Sequence, residues 1–199
     1  MVVVGAHLDS VIAGPGINDN GSGTSTILEI AEEMAELGIR NRQKLRFVYD
    51  GDGDGAAGNP VGPPGSAQIE DVFTNYFASQ GLASEPTPFN GRSDYGPFIA
   101  VGIPAGVACS AAPRHQDAGA AGHLRRHRRR PYDPYDHQPC DTINNLCTKA
   151  LVELGDAAAH ATMTLARSRT GFFEDSSFRT AARAAASARR PSVSSQAAA

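Results

Sequence analysis

The chain predicts an α/β fold, and three observations carry that expectation. Val2-Val3-Val4 is an apolar run that ends abruptly in polar residues, as a buried strand does. Thr24 to Leu37 repeats its apolar residues at helical spacing, and Lys44-Leu-Arg-Phe-Val-Tyr49 is a second strand candidate. Strand, helix and strand in that order suit a sheet with helices packed against it.

The first strand runs into Gly5-Ala-His7-Leu-Asp9-Ser, and Asn18-Asp19-Asn20-Gly-Ser-Gly follows before the helix. In an open α/β sheet, ligands gather beyond the carboxyl ends of the strands, so one imidazole and two carboxylates there make half of a metal site. His7 and Asp9 are one residue apart and project from the same face of an extended segment. The Asp9 carboxylate can then hold one ring nitrogen of His7 and leave the other for a cation. The same residues also read as a helix cap by Asp19 or Asn20, with a strand-end histidine bonded to Asp9.

In the helix Thr24–Leu37, residues Ile27, Ile30, Ala31, Met34 and Leu37 form the inward stripe, and Gly38 supplies a stop. Residues 51–65 are rich in glycine and proline and read as a loop. Asp50-x-Asp52-x-Asp54-Gly55 matches the first half of a calcium loop. Val61 stands where a bidentate glutamate is needed, however, so the segment reads as an acidic loop. The next helix carries Ile69, Val72, Phe73, Tyr76 and Phe77 as a core stripe. A last helix over Thr148–Ala166 points Leu151, Leu154, Ala158, Ala161 and Leu165 inward and places His160 near that face as a buried structural histidine. From Arg167 the composition turns to Ser, Ala and Arg, so residues 1–166 are expected to fold as one domain and 167–199 to form a disordered tail.

The 199 residues are 41% hydrophobic and 20% charged, which suits a single domain. No apolar run is long enough to span a membrane, so no membrane partner is expected, and the chain is expected to be a monomer. The arginine run from His123 to Arg130 has the charge for a phosphate backbone. It lacks interleaved aromatics and the net charge is −3, so no specific nucleic-acid partner is expected. Cys109, Cys140 and Cys147 follow no zinc-ribbon or Cys-x-x-Cys spacing, and at least one must be unpaired.

Five segments agree in order with one known family: Gly5–Ser10, Gly16–Gly23, Asn90-Gly-Arg92-Ser-Asp94-Tyr-Gly-Pro-Phe98, His137-Gln-Pro-Cys140-Asp141-Thr142, and Gly155–Thr162. Together they resemble the secreted bacterial double-zinc aminopeptidases, a leucyl aminopeptidase-like group of metallopeptidases. The resemblance implies a three-layer sandwich, with a mixed central sheet flanked by helices. It also implies zinc-dependent hydrolysis at peptide N-termini. In that family two zinc ions share a bridging carboxylate, and each takes one histidine and one further acidic ligand. By position His7 is similar to one histidine ligand, Asp19 to the bridging aspartate and His137 to the other histidine. Asp9 resembles the partner that orients His7, the Asp19–Asn20 peptide is implied to be cis, and Arg92 resembles an arginine near the substrate's amino end. Pro86 stands where an acidic residue is implied six positions earlier.

The chain also departs from the family at other places. Its only adjacent glutamates, Glu32 and Glu33, lie inside the first helix, so no glutamate pair follows a strand to serve as general base and ligand. Residues up to Arg46 resemble the family before that pair, and those from Phe47 resemble it after the last acidic ligand. A block containing a core strand, a helix, the base and two ligands is therefore expected to be absent. Tyr135 and Asp136 occupy the places of a cysteine that would bridge to Cys140 and of a tyrosine that would bind the oxyanion. A carboxylate there repels developing negative charge. Met1 is followed at once by a strand with no signal peptide, so the chain is expected to start inside the family's domain, and its location stays open.

Two readings follow: a zinc-dependent aminopeptidase removing N-terminal residues, or a non-catalytic remnant of that fold with weak or no metal binding. The stretch 107–130 does not resemble the family's loop although both of its flanks do, as translation in a shifted frame would produce. The genomic DNA should then encode a family-like loop there in another frame, and its absence from both alternative frames refutes the idea.

Overall fold

The computed structural model describes residues 1–50, 62–84, 91, 93–108 and 133–168. Arg92, the acidic loop beyond Asp50, most of the 107–130 stretch and the tail from residue 169 lie outside the described residues.

Strands β1 (Val2–His7) and β2 (Leu45–Asp50) pair in parallel, with Val2 opposite Leu45 and His7 opposite Asp50. Parallel neighbours need a crossover, and helix α1 (Gly23–Glu36) supplies it after a wide turn over Ile17–Ser22. Helices α2 (Ser66–Ser79) and α3 (Gly96–Ala100) follow, and a 3-10 turn over Ile143–Asn145 leads into α4 (Thr148–Arg167). Helix α4 packs on β1, α1 and α2, so the long helices form one layer. The fold is α/β as the sequence predicts. Of the mixed sheet and two helical layers implied by the resemblance, the described residues hold one parallel strand pair and one helical layer.

That partial architecture explains a departure in β1. The run Val2-Val3-Val4 is not buried throughout: Val2 and Val4 are half-buried and Ala6 is buried, whereas Val3 and Gly5 are exposed. Successive strand residues point to opposite faces, and among the described residues only one face carries helices.

Helix α1 buries Ile27, Ile30 and Met34, as its spacing predicts. Leu37 is exposed because it lies one residue beyond the helix, where Gly38 at φ 60° turns the chain away. In α2, Ile69 and Val72 are buried, and Phe73, Tyr76 and Phe77 are half-buried. In α4 the innermost residues are Ala157, Ala161, Thr162, Leu165 and Ala166, while Leu151, Leu154 and Ala158 are half-buried. His160 is exposed rather than buried. Its ring stacks on Tyr76 of α2 with centroids 4.9 Å apart, which covers the flat face, and its Nε2 lies 3.5 Å from the Thr164 hydroxyl. The carbonyl of Ala166 accepts the N–H groups of both Arg42 and Gln43, which ties the end of α4 to the approach to β2.

The parallel pairing places the carboxyl ends of β1 and β2 together, with His7 at the rim beside the start of α1. Ile30→Ala should lower the unfolding free energy by about 2–5 kcal/mol in urea titration followed by circular dichroism. Leu28→Ala, at an exposed position of the same helix, should change it by under about 0.5 kcal/mol. Equal losses would refute this orientation of α1.

Candidate metal centre

His7, the last residue of β1, is 7% exposed, and its carbonyl accepts the Thr24 hydroxyl of α1 at 2.9 Å. Its Nδ1 lies 3.2 Å from the Asp9 carbonyl oxygen and 3.3 Å from Asp9 Oδ1. Asp9 therefore engages the ring through its backbone as well as its carboxylate. On the other side, His7 Nε2 lies 3.4 Å from Asp19 Oδ1. The second oxygen of Asp19 lies 3.2 Å from His137 Nε2, so one carboxylate stands between two imidazoles with an oxygen toward each.

The backbone around Asp19 accounts for that placement. Within the wide turn, Asp19 (φ −110°, ψ 90°) and Asn20 (φ −132°, ψ 37°) leave helical geometry, and the peptide between them is cis, as the resemblance implied. The capping role falls to Asn20, whose Oδ1 accepts the Gly23 N–H at 3.1 Å. Asp19 is left facing the histidines.

Asp141, which sequence reasoning did not single out, holds the turn. Its side chain is almost wholly buried, Oδ1 accepts the Asn18 N–H at 3.0 Å and Oδ2 accepts the Asp19 N–H at 3.1 Å. Hydrogen bonds to an ionised carboxylate are stronger than neutral ones, so this clamp fixes Asp19 from behind. The only signal in the sequence was the place of Asp141 in the segment that begins at His137.

Asp133 makes a second tie. It accepts the Asn18 side-chain amide at 2.7 Å and the Tyr135 N–H at 2.8 Å. A third comes from Gly14, where a Cβ would collide with the Gln138 carbonyl, so the two backbones touch. His137 itself sits in the left-handed region at φ 57°, an uncommon conformation for a residue with a side chain. Hydrogen bonds from Gln138 N–H to the Tyr135 carbonyl and from Asp141 N–H to the Gln138 carbonyl enclose it.

Asp136 joins the group. Its Oδ1 lies 4.0 Å from His137 Nε2, and donor atoms of Asp19, Asp136 and His137 all fall within 4.8 Å of one another. Sequence reasoning read this residue only as a lost oxyanion donor. Its position directly before His137 was the available signal. Donors bound to one tetrahedral zinc at its usual distances stand about 3.3 Å apart, against 3.2 Å from His137 to Asp19 and 4.0 Å from His137 to Asp136 here. These three residues are the group whose donor atoms can face one cation, with His7 on the other oxygen of Asp19.

Charge in the centre is balanced by protons. The hydrogen bond to Asp19 raises the His7 pKa from 6.5 to about 9 against the opposing effect of burial, and the charges of Asp94 and Asp19 add to it. Hydrogen bonding to His7 in turn holds Asp19 below the usual carboxylate range. Asp136 is pushed up to about 6, first by burial and then by the charge of Asp19. Cys140 and Cys147 are exposed free thiols.

The comparisons with known proteins agree on a class that pairs this α/β fold with peptide hydrolysis. The chain belongs to peptidase family M28, whose model matches residues 1–58 and 51–162. Leucine aminopeptidase 2 of Arthroderma otae is 33% identical over 213 aligned residues, covering 86% of this chain and 43% of the relative. A probable lipoprotein aminopeptidase of Mycobacterium tuberculosis is 35% identical, covering 81% of this chain and 42% of its own length. A zinc aminopeptidase structure from Bacillus subtilis superposes with a TM-score of 0.62 at 22% identity, over 84% of this chain and 46% of that one.

The chain thus spans less than half the length of these relatives. The 213 aligned positions with the first relative exceed the 199 residues of the chain, so that relative has residues inside the matched span with no counterpart here. The two matched pieces of the family model meet at residues 51–58, close to the junction at Arg46 and Phe47 where the sequence places a missing block.

Below pH 6.5, His7 is protonated both folded and unfolded, so its pairing with Asp19 stabilises the fold in full. Above that pH the unfolded chain releases the proton first, and the contribution, on the order of 3 kcal/mol, fades as pH rises through about 9. Chelator-treated protein should therefore lose melting temperature between these pH values, and His7→Gln should flatten that part of the profile. An NMR titration of His7 with a midpoint near 6.5 would contradict the pairing.

Proposed function

We propose that this chain carries a reduced form of the zinc aminopeptidase centre, which holds a divalent cation through His7, Asp19 and His137 and turns peptides over only at background. The observation that carries the reading is Asp19 standing between two imidazoles at 3.4 and 3.2 Å. This is the arrangement expected of a carboxylate that bridges or shares a metal site. The names of the relatives, leucine aminopeptidase and zinc aminopeptidase, support peptide N-termini as the ligand class and zinc as the cation.

In this reading Asp9 holds His7 Nδ1–H and so fixes the tautomer that offers Nε2 forward. Asp141 keeps the Asp19 carboxylate at its post, and the enclosing turn keeps His137 opposite His7. A bound divalent cation supplies the charge that polarises a peptide carbonyl and acidifies water. The remaining requirement is a carrier for the proton, and here the residues fall short. The glutamates of α1 are on the crossover helix, and among the described residues no glutamate joins the cluster around Asp19. Asp136, in the place of an oxyanion donor, opposes negative charge on the tetrahedral oxygen.

We further assign residues 1–166 to one domain acting as a monomer and Arg92 to the substrate's amino end. An extracytoplasmic location is in keeping with the lipoprotein relative. Among the described residues, no helix is long and apolar enough to cross a membrane.

Calorimetric titration should detect zinc binding to the full chain, and His7→Ala should abolish it. Hydrolysis of leucine p-nitroanilide with added zinc should remain at background. Robust turnover that disappears in His7→Ala would overturn the inactive reading in favour of a working aminopeptidase, and no zinc binding at all would overturn the metal centre.

A further inference from the structure

We propose that Asp136 is itself a metal ligand, so that one divalent cation is held by Asp19, Asp136 and His137, with His7 on the other oxygen of Asp19. The inference rests on the metal-binding reading above and goes beyond it, because a tyrosine is implied at this position by the family resemblance. Replacement of that tyrosine by aspartate exchanges a neutral hydrogen-bond donor for an anionic oxygen ligand.

The geometry carries the argument. Asp136 Oδ1 lies 4.0 Å from His137 Nε2, which lies 3.2 Å from Asp19 Oδ2, and the donor atoms of these three residues fall within 4.8 Å of one another. His7 Nε2 reaches the same Asp19 carboxylate from the buried side at 3.4 Å. One nitrogen and two carboxylates therefore converge, with His137 Nε2 at 3.2 and 4.0 Å from the two oxygens against the ~3.3 Å edge of a zinc coordination tetrahedron, and His7 stays on the far oxygen of Asp19. Asp136 is the more enclosed of the two carboxylates, at 16% exposure against 29% for Asp19, whereas His137 is 57% exposed and leaves a way in from solvent.

The sequence supplies a reason for the substitution to matter. The segment that should hold the acidic ligands after the second strand has no counterpart here, so Asp19 and His137 alone would give this cation two protein donors, one fewer than the three of an open zinc site. A carboxylate adjacent to His137 in the chain, within reach of the same point, restores a set of three. Two aspartates brought this close repel one another unless something positive lies between them. With His137 neutral and both carboxylates ionised, the donor set has a charge of −2 and neutralises a divalent cation.

Zinc titration of the full chain by competition with a chromophoric chelator, together with the visible spectrum of the cobalt-loaded protein, tests the assignment. Asp136→Asn, nearly the same shape without the charge, should weaken zinc binding at least tenfold and alter the cobalt absorption between 500 and 700 nm, roughly the range of four-coordinate cobalt. Asp136→Glu should retain more of the affinity than Asp136→Asn, with a shifted cobalt spectrum. Unchanged zinc affinity in Asp136→Asn overturns the proposal while leaving the three-residue centre standing. If Asp136→Asn does not fold, a cobalt spectrum of Asp136→Glu identical to the wild type overturns it instead. No zinc binding by the wild-type chain fails the earlier reading as well, so the two failures are distinct.

Discussion

A carboxylate almost wholly removed from water, that of Asp141, is the contact on which the rest of the centre depends. It takes the amides of Asn18 and Asp19 at 3.0 and 3.1 Å, and those amides belong to a turn with no regular helical ladder of its own. Buried backbone N–H groups must find acceptors, and a buried carboxylate must find donors, so each satisfies the other. The clamp joins parts of the chain more than one hundred residues apart. It brings the β1 end, with His7, to the turn that carries His137. Without it the turn would lose the partners that set the direction of the Asp19 side chain.

Electrostatics then determine what such a centre can do. Asp19 and the nearby Asp94 charge act together on His7, and the metal-free balance is a protonated His7 and an Asp136 that is hard to ionise. Protons and a cation compete for the same lone pairs, so cation binding releases protons. In the reading proposed above, such an arrangement favours holding a metal over the later step of hydrolysis, where a base must accept a proton and an oxyanion must be relieved of its charge. Fold and metal-binding geometry can persist when catalytic chemistry is impaired because they draw on different residues. Asp141 and Asp133 support the first, and among the described residues no glutamate joins the cluster around Asp19 to support the second.

Much of the local architecture is legible along the chain. Helix α1 shows its buried stripe at Ile27, Ile30 and Met34, and β1 and β2 show their apolar runs, because side-chain periodicity is a local property. The errors occur where burial depends on distant neighbours. Leu37 fits the stripe in sequence yet lies past the last turn. Val3 belongs to an apolar strand but points to the face without helices among the described residues. His160 falls near an inward face yet reaches the edge, where Tyr76 gives it a ring to stack on.

The candidate centre divides in the same way. His7, Asp9, Asp19 and His137 are recognisable from their segments, and so is the want of a glutamate after a strand, since ligand chemistry is a matter of residue type and order. By itself the sequence determined the α/β class, the ancestry and the likeness of these residues to metal ligands. Only the tertiary structure decided that Asp141 clamps the turn, that Asn20 caps α1 while Asp19 faces two imidazoles, and that Asp136 comes near Asp19 and His137. Those are facts of distance between segments far apart in the chain. A one-dimensional pattern has no term for them, whereas parallel strand pairing and a buried carboxylate bring them together in space.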